Sequence, residues 1–114
     1  MSGAPLPNAP LAVVPVAKVL HYLLDSTHPG NGGKAAFFGA FGFTVGRWAA
    51  LHDALLAHPG MHPVIVVTAN AWGTKYDVRC SLRSPDGRNP CIRSIWVIDA
   101  TSPYPRLVTA YGYP

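Results

Sequence analysis

The chain has 114 residues, of which 49% are hydrophobic and 12% are charged. This length fits one domain over residues 1–114 with one hydrophobic core, and this composition excludes a disordered chain. Nine Lys and Arg residues outweigh five acidic residues, for a net charge of +4. The modest excess of positive charge allows an anionic partner such as RNA without requiring one.

The apolar runs are too short to cross a membrane. Residues 64–67 form one of the longest, whereas a spanning helix needs about 18 apolar residues. Pro5, Pro7 and Pro10 interrupt the N-terminal apolar stretch, and no basic region precedes it, which argues against a signal peptide. We therefore expect a cytoplasmic protein that makes no contact with a membrane.

The proline-rich start predicts an extended arm followed by a helix. Residues 1–14 are expected to lie over the domain in an extended conformation. Pro15 suits the first position of a helix, and apolar residues then recur every three or four positions. The pattern predicts a first helix over residues 15–25.

Two further helices are predicted before residue 58, which extends the helical part over residues 15–57. Residues 27–33 form a glycine-rich loop, after which Lys34 begins a short helix. Thr44 is expected to cap a third helix that runs to about Ala57. The core-facing residues expected on these two helices are Phe37, Phe38, Phe41, Trp48, Leu51 and Leu55.

After residue 60 the sequence becomes rich in β-branched and aromatic residues with turn signals between them, which predicts a sheet over residues 64–112. In the second strand, Tyr76, Val78, Cys80 and Leu82 alternate with polar residues, so one face is expected to be buried. The fold class predicted is α+β, with two or three N-terminal helices packed on a four-stranded antiparallel sheet. The predicted strands are 64–71, 74–83, 91–99 and 105–112.

Neither a disulfide nor a metal site is expected. Cys80 and Cys91 flank a turn and are expected to be half-buried, reduced thiols. His58 and His62 are four residues apart, but Pro59 breaks the helix that would aim both rings at one metal ion. We expect no metal and no cofactor.

The glycine-rich loop favours an anion. The loop lacks the residues of a nucleotide-binding loop and follows a helix instead of a strand. His28, the amides of Gly32 and Gly33, and Lys34 could nevertheless converge on one phosphate at the start of the second helix. The alternative is that His28 is a solvated loop residue and Lys34 a surface charge.

Arg93 lies in an otherwise apolar strand, where an unpaired guanidinium would be costly to bury. Its partner is either a bound anion or an internal carboxylate, for which Asp77 and Asp99 are the candidates. On the next strand Thr109 and Tyr111 share a face and present two hydroxyls. Good strand formers often occur at such positions without a functional role.

Two further residues of the Arg93 strand are candidates for substrate binding. Trp96 could stack on a base, although tryptophan is more often a core residue. Ser94 supplies a hydroxyl within the same apolar run.

Several short motifs together resemble a bacterial domain of unknown function. They extend over residues 5–112 and comprise Leu6-Pro7-Asn8, Ala12-Val13-Val14-Pro15, Tyr22-Leu23-Leu24, His28-Pro29, Lys34-Ala35, Phe41-Gly42-Phe43, Gly73-Thr74-Lys75-Tyr76, the run from Ile92 to Ile98 and the run from Pro105 to Tyr111. Relatives of that domain occur as stand-alone small proteins and at the C-termini of polymorphic toxins. Ser94 stands where the resemblance leads us to expect Thr, which keeps the hydroxyl.

The resemblance implies a toxin-like, metal-independent endoribonuclease, because RelE, barnase and EndoU-like ribonuclease toxins also combine helices with an antiparallel sheet. Cleavage would begin with attack of the ribose 2′-hydroxyl on the adjacent phosphate. The partners would be RNA and a neutralising antitoxin or immunity protein. The catalytic candidates are His28, Lys34, Arg93, Thr109 and Tyr111, with substrate bound by Gly32, Gly33, Ser94 and Trp96.

A different class of function fits the same composition. The chain could be a non-catalytic protein-interaction module, such as one component of a toxin–antitoxin pair, that binds its partner through a sheet edge or an aromatic surface. The two functions differ in one spatial requirement. A ribonuclease needs His28, Lys34, Arg93 and Thr109 around one cleft, whereas an interaction module does not.

Overall fold

The computed structural model describes residues 4–113. Helix α1, residues 16–23, begins as an α-helix over Val16–Lys18 and continues as a wider π-helical turn over Val19–Leu23. Helix α2 is Lys34–Ala40, and helix α3 is Trp48–Met61. Within residues 4–113, no helix is long and apolar enough to cross a membrane.

The strands follow the helices. Among the described residues they are β1 Val64–Asn70, β2 Gly73–Ser81, β3 Cys91–Asp99 and β4 Ser102–Gly112. They lie in the order β1-β2-β3-β4, and every neighbouring pair is antiparallel. Two residues connect β1 to β2 and β3 to β4, and the longer loop of residues 82–90 connects β2 to β3, so that consecutive strands form a meander. The predicted α+β fold, with helices that precede a four-stranded antiparallel sheet, is confirmed.

The helices cover one face of the sheet and form the core with it. Trp96 of β3 and Val78 of β2 are fully buried there and belong to the same hydrophobic cluster as Phe38 of α2 and Leu51 of α3. Burying one such side chain contributes roughly 1.5–3 kcal/mol. Side chains alternate along each strand, so the residues on either side of Trp96 and Val78 point to the opposite face of the sheet, which we call the open face.

The N-terminal arm lies against the outer edge of β4. Leu6 and Val14 are buried in the core. The backbone N–H of Val13 donates to the carbonyl of Pro105 over 2.8 Å, and the N–H of Leu107 donates to the carbonyl of Val13 over 3.0 Å. Proline at position 105 is compatible with the edge of a sheet, and here its carbonyl still accepts a hydrogen bond.

The boundaries of several elements differ from the predicted ones. Helix α1 ends at Leu23 instead of residue 25, and β4 begins at Ser102 instead of residue 105. Helix α3 continues through Pro59 to Met61, because proline in the last turn forfeits only one helical hydrogen bond. The Thr44 side chain makes no capping hydrogen bond, and a 3₁₀ turn separates Thr44 from α3.

The predicted alternation along β2 is wrong at one residue. Val78 and Leu82 are buried as expected, but Cys80 is exposed. Cys80 has a φ of 113°, a value that L-residues rarely adopt, so the backbone turns its side chain outward. Cys80 and Cys91 are both free thiols, and Cys91 is half-buried as predicted.

Candidate functional site

The open face of the sheet contains a cavity of about 330 Å³. Residues from all four strands line it: Val66, Thr68, Lys75, Asp77, Arg93, Ile95, Val108, Thr109 and Tyr111. Three of the predicted catalytic residues, Arg93, Thr109 and Tyr111, therefore belong to one depression. The register explains this, since Arg93 lies opposite Tyr111 and Ile95 lies opposite Thr109 across the β3–β4 pair.

Asp77 is the negatively charged centre of this face and is only 7% exposed. Its Oδ2 accepts from Nε of Arg93 over 2.9 Å and lies 2.7 Å from Nη2 of the same guanidinium. Arg79 also donates to Oδ2, over 3.2 Å. The hydrogen bond to Asp77 raises the pKa of Arg93. Two guanidiniums share one carboxylate, so the cluster retains positive charge.

Two tyrosine rings adjoin the arginines. The Arg93 guanidinium lies 5.7 Å from the centre of the Tyr111 ring and 5.5 Å from that of Tyr113. Nη1 of Arg79 donates to the Tyr113 hydroxyl over 3.1 Å. Cations over aromatic faces are held in place while they stay accessible to an anion. The arrangement combines positive charge with flat apolar surface.

Lys34 approaches the cluster from the start of α2. Its Nζ lies 5.7 Å from the centre of the Tyr111 ring and 5.4 Å from that of Tyr22. The Tyr22 hydroxyl lies 3.5 Å from Oγ1 of Thr109. The hydrogen bond with Thr109, together with the charge of Lys34, lowers the pKa of Tyr22. Tyr22 thus connects the helical half of the chain to β4.

His28 reaches this cluster only through Tyr22. It is exposed, it does not line the cavity, and its ring lies edge-on to the Tyr22 ring with 5.1 Å between ring centres. Its Nδ1 accepts a hydrogen bond from the N–H of Gly30 over 2.9 Å. In the neutral form of the ring, this hydrogen bond leaves the hydrogen on Nε2.

The glycine-rich loop has the backbone that its composition predicts. Gly32 and Gly33 have φ values of 64° and 85°, in the region where glycine is favoured. The loop also supplies its own acceptor, because Oδ1 of Asn31 accepts from the N–H of Ala35 over 2.9 Å. Lys34 Nζ donates to the Asn31 carbonyl over 3.2 Å. Asn31 thus occupies part of the position that we expected an anion to take.

Ser94 and Trp96 do not reach the open face. Both are fully buried on the helix-covered side and do not line the open-face cavity. Trp96 Nε1 donates to Oγ of Ser94 over 2.8 Å, and that oxygen lies 2.7 Å from Nδ1 of His58. Nε2 of His58 lies 2.8 Å from the Cys80 carbonyl. These contacts form a continuous chain of hydrogen bonds from Trp96 to the Cys80 carbonyl, in which every polar group has a partner.

This chain of hydrogen bonds determines which ring nitrogen of the buried His58 carries the hydrogen. The Cys80 carbonyl can only accept, so Nε2 carries the hydrogen, and Nδ1 then accepts from the Ser94 hydroxyl. Burial lowers the pKa of His58 to about 4. His58 is therefore a neutral structural residue that locks α3 to β2 and β3. Within residues 4–113, no group of three or more His, Cys, Asp or Glu side chains could hold a metal ion.

The sequence analysis did not identify Tyr22, Arg79 or Tyr113 as residues of this cluster. The position of Arg79 could have been predicted, because it alternates with core residues along the strand and lies two positions from Asp77, on the same face. Tyr113 lies just beyond the end of the predicted fourth strand. The place of Tyr22 in the cluster could not be predicted from a local pattern, because its contact with Thr109 joins residues 87 positions apart.

No curated protein matches the sequence. A chain of a contact-dependent growth inhibition toxin–immunity protein complex from Klebsiella pneumoniae 342 has a similar structure, with a TM-score of 0.70 over 94% of this chain and 97% of that chain. At 12% sequence identity, the likeness shows a common fold. The model of one family, a domain of unknown function (DUF6883), matches residues 5–113, and the chain therefore belongs to that family.

Proposed function

We propose that this chain is the toxic component of a toxin system and acts as a metal-independent endoribonuclease. One observation carries the proposal, namely the gathering of Lys34, Arg93, Thr109, Tyr111 and the unforeseen Tyr22 at one end of the open face. A cavity of about 330 Å³ has room for a nucleotide-sized group.

Binding of RNA would use the two surfaces that the cluster combines. Lys34 and the arginine pair would attract the phosphate backbone, since Asp77 offsets only one of the two guanidinium charges. The rings of Tyr111 and Tyr113 would stack on bases that are not paired with others. The adjacent Thr109 hydroxyl could donate to a phosphate oxygen.

Cleavage would proceed by transfer within the RNA. The 2′-oxygen forms a bond to phosphorus while the bond from phosphorus to the 5′-oxygen breaks, leaving a 2′,3′-cyclic phosphate. A base removes the proton of the 2′-hydroxyl, and an acid supplies one to the departing 5′-oxygen. Tyr22, with its lowered pKa, is the candidate base. His28 is the candidate acid in its imidazolium form, in which Nδ1 binds a proton in place of the hydrogen bond from Gly30 and Nε2 gives a proton to the 5′-oxygen. Arg93 and Lys34 would stabilise the charge on phosphorus.

Two kinds of similarity support a role in a toxin system. The sequence resembles domains found at the C-termini of polymorphic toxins, and the fold is that of a chain in a growth-inhibition toxin–immunity protein complex. Under this proposal the chain has a neutralising antitoxin or immunity protein as its partner.

The second candidate function is a non-catalytic interaction module, such as the neutralising component of the pair. The observation in its favour is the apolar edge strand β1, on which Ile65, Val66 and Val67 are exposed in succession. An exposed edge of this kind suits a protein partner and has no role in the cleavage chemistry.

The experiment that separates the two functions is expression in a bacterium, with RNA cleavage by the purified protein measured in the presence of a metal chelator. We expect growth arrest and cyclic-phosphate products from the wild type, and loss of both in His28→Ala and Tyr22→Phe. His21→Ala is the matched control, since His21 is an exposed histidine on α1. Normal growth and intact RNA with the wild type would contradict the ribonuclease proposal.

A further inference from the structure

The outer edge of β1 has the properties of a binding edge. The segment from Val64 to Trp72 contains no charged residue and no proline. Its side chains are also unusually exposed: 52% for Ile65, 57% for Val67 and 86% for Trp72. Edge strands of stable monomers normally contain charged residues or proline, or are covered by another segment. These features prevent their free backbone groups from pairing with other chains.

The two edges of the sheet differ in this respect. The edge of β4 is covered in part by the N-terminal arm, through the pairing of Val13 with Arg106. At β1 the arm reaches only the first residue, where the N–H of Val64 donates to the carbonyl of Ala4. Beyond Val64, no other strand formed by residues 4–113 pairs with the outer side of β1. The backbone of residues 65–70 is therefore available to an added strand.

The charge beside this edge indicates what kind of strand would fit. Val66 and Thr68 line the same cavity as Arg93, and Thr68 lies opposite Lys75 in the β1–β2 pair. A strand added to β1 would direct every second side chain over the open face beside Val66 and Thr68, with Lys75 one strand further away. Carboxylates at those positions would meet the positive charge of the site, while the intervening apolar side chains would cover Ile65 and Val67.

We propose that the outer edge of β1 receives an extended strand from an acidic partner protein, in which apolar and acidic residues alternate. Main-chain hydrogen bonds would supply affinity, and the carboxylates would supply specificity. The added strand would widen the sheet and narrow the entrance to the cavity at Val66 and Thr68. The claim that this partner neutralises the protein rests on the proposed ribonuclease function, whereas the binding edge itself does not.

The test uses the full chain and a capped ten-residue peptide of alternating valine and glutamate. Backbone amide NMR signals are followed during titration at low ionic strength. We expect shifts centred on residues 64–70 and slower hydrogen exchange of the amides on the outer side of β1. A peptide of alternating valine and lysine should bind at least tenfold more weakly, and so should the valine–glutamate peptide with alternate amides N-methylated.

A pair of variants provides the sequence control. Val67→Asp places a negative charge on the edge and should weaken binding of the valine–glutamate peptide about tenfold. Val45→Asp makes the same change at a residue 52% exposed, against 57% for Val67, and should leave binding unchanged. Neither substitution empties the core, and unchanged thermal midpoints would verify that both variants fold.

Three results would overturn the proposal. Equal binding of the N-methylated peptide would show that main-chain pairing is not involved. Shifts confined to residues outside 64–70, or no binding at all, would show that β1 is not the site. Sedimentation showing that the chain alone dimerises through β1, with Val67→Asp giving a monomer, would identify a second copy as the occupant. Because peptide binding is measured without RNA, failure here is separate from absence of ribonuclease activity.

Discussion

Nε of Arg93 donates to Oδ2 of Asp77 over 2.9 Å, and Nη2 of the same guanidinium lies 2.7 Å from that oxygen. The Arg93 side chain nevertheless keeps one face towards the cavity and towards the Tyr111 ring. The internal carboxylate thus orients the guanidinium without enclosing it. Of the two partners that the sequence left open for Arg93, a bound anion and an internal carboxylate, the structure shows the internal carboxylate of Asp77.

Arg93→Ala should abolish RNA cleavage and have a small effect on stability. Removal of a cation that stabilises the transition state costs about 100-fold or more in rate. Arg79 remains on Asp77 in the variant, so the free energy of unfolding should fall by only about 1 kcal/mol. Cleavage assays and urea denaturation measure the two effects. Arg83→Ala is the control, since Arg83 is exposed and lies outside the open-face cavity. A large loss of stability with cleavage retained would make Arg93 purely structural.

The buried His58 predicts a dependence of stability on pH. Its pKa is about 4 in the folded state against 6.5 for the unfolded chain. Between these values the unfolded state binds a proton that the folded state does not, so stability is complete above pH 6.5 and falls towards pH 4. At about 1.4 kcal/mol per pKa unit, the loss is roughly 3 kcal/mol.

Urea denaturation at a series of pH values from 7.5 to 4.5 measures this effect. His58→Gln should remove most of the slope, while His52→Gln should keep it, because His52 is only half-buried and contacts the exposed Asp53. The carboxyl groups with lowered pKa values, such as Asp99, affect stability only at lower pH. A wild-type stability that is flat between pH 6.5 and 4.5 would contradict the assignment of His58 as a buried neutral group.

Ser94→Ala should destabilise the fold without an effect on RNA binding. The substitution leaves the Trp96 indole N–H and Nδ1 of His58 buried with no partner. The free energy of unfolding should fall by about 2–4 kcal/mol, while the dissociation constant for RNA should stay the same. Ser26→Ala, in the exposed loop after α1, is the control. Weaker RNA binding by a stable Ser94→Ala protein would restore Ser94 to the binding site.

Two glycine substitutions should have effects of opposite sign. A Cβ at Gly73, where φ is 156°, would lie 2.6 Å from the Ile98 carbonyl oxygen on the paired strand. Gly73→Ala should therefore cost about 2–3 kcal/mol. Gly39 lies in α2 with nothing within 4 Å of an added Cβ, so Gly39→Ala should stabilise by about 0.5–1 kcal/mol. Thermal denaturation compares both with the wild type, and equal midpoints would contradict the register in which Gly73 of β2 lies opposite Asp99 of β3.

The sequence contained enough information to predict the fold because its local patterns agree with the final packing. The alternation on either side of Val78 specified a half-buried antiparallel strand, and the turn residues placed its neighbours next to it. Cys80 is the exception, because its exposure depends on a positive φ that the alternation does not predict. That backbone geometry is coupled to the hydrogen bond between His58 and the Cys80 carbonyl, which no local pattern encodes.

The candidate site was predictable only where strand register determines it. Arg93, Thr109 and Tyr111 share a face by simple alternation, so their meeting follows from the order of the strands. The meeting of Lys34 with Tyr111 depends on how α2 packs across β4, and periodicity does not specify packing between elements. Alternation also assigned Ser94 and Trp96 to the opposite face from Arg93, a consequence that the sequence analysis did not apply.

The pairing of Val13 with Arg106 joins the beginning of the chain to its last strand. During synthesis the arm leaves the ribosome before β4 does, so the edge that it binds does not exist until β4 has been made. The buried positions of Leu6 and Val14 are likewise completed by residues that emerge late. A nascent chain that still lacks residues 102–112 has neither β4 nor the Thr109 and Tyr111 side of the cavity. The Thr109 and Tyr111 side of the cavity would thus be assembled only after residue 112 has left the ribosome.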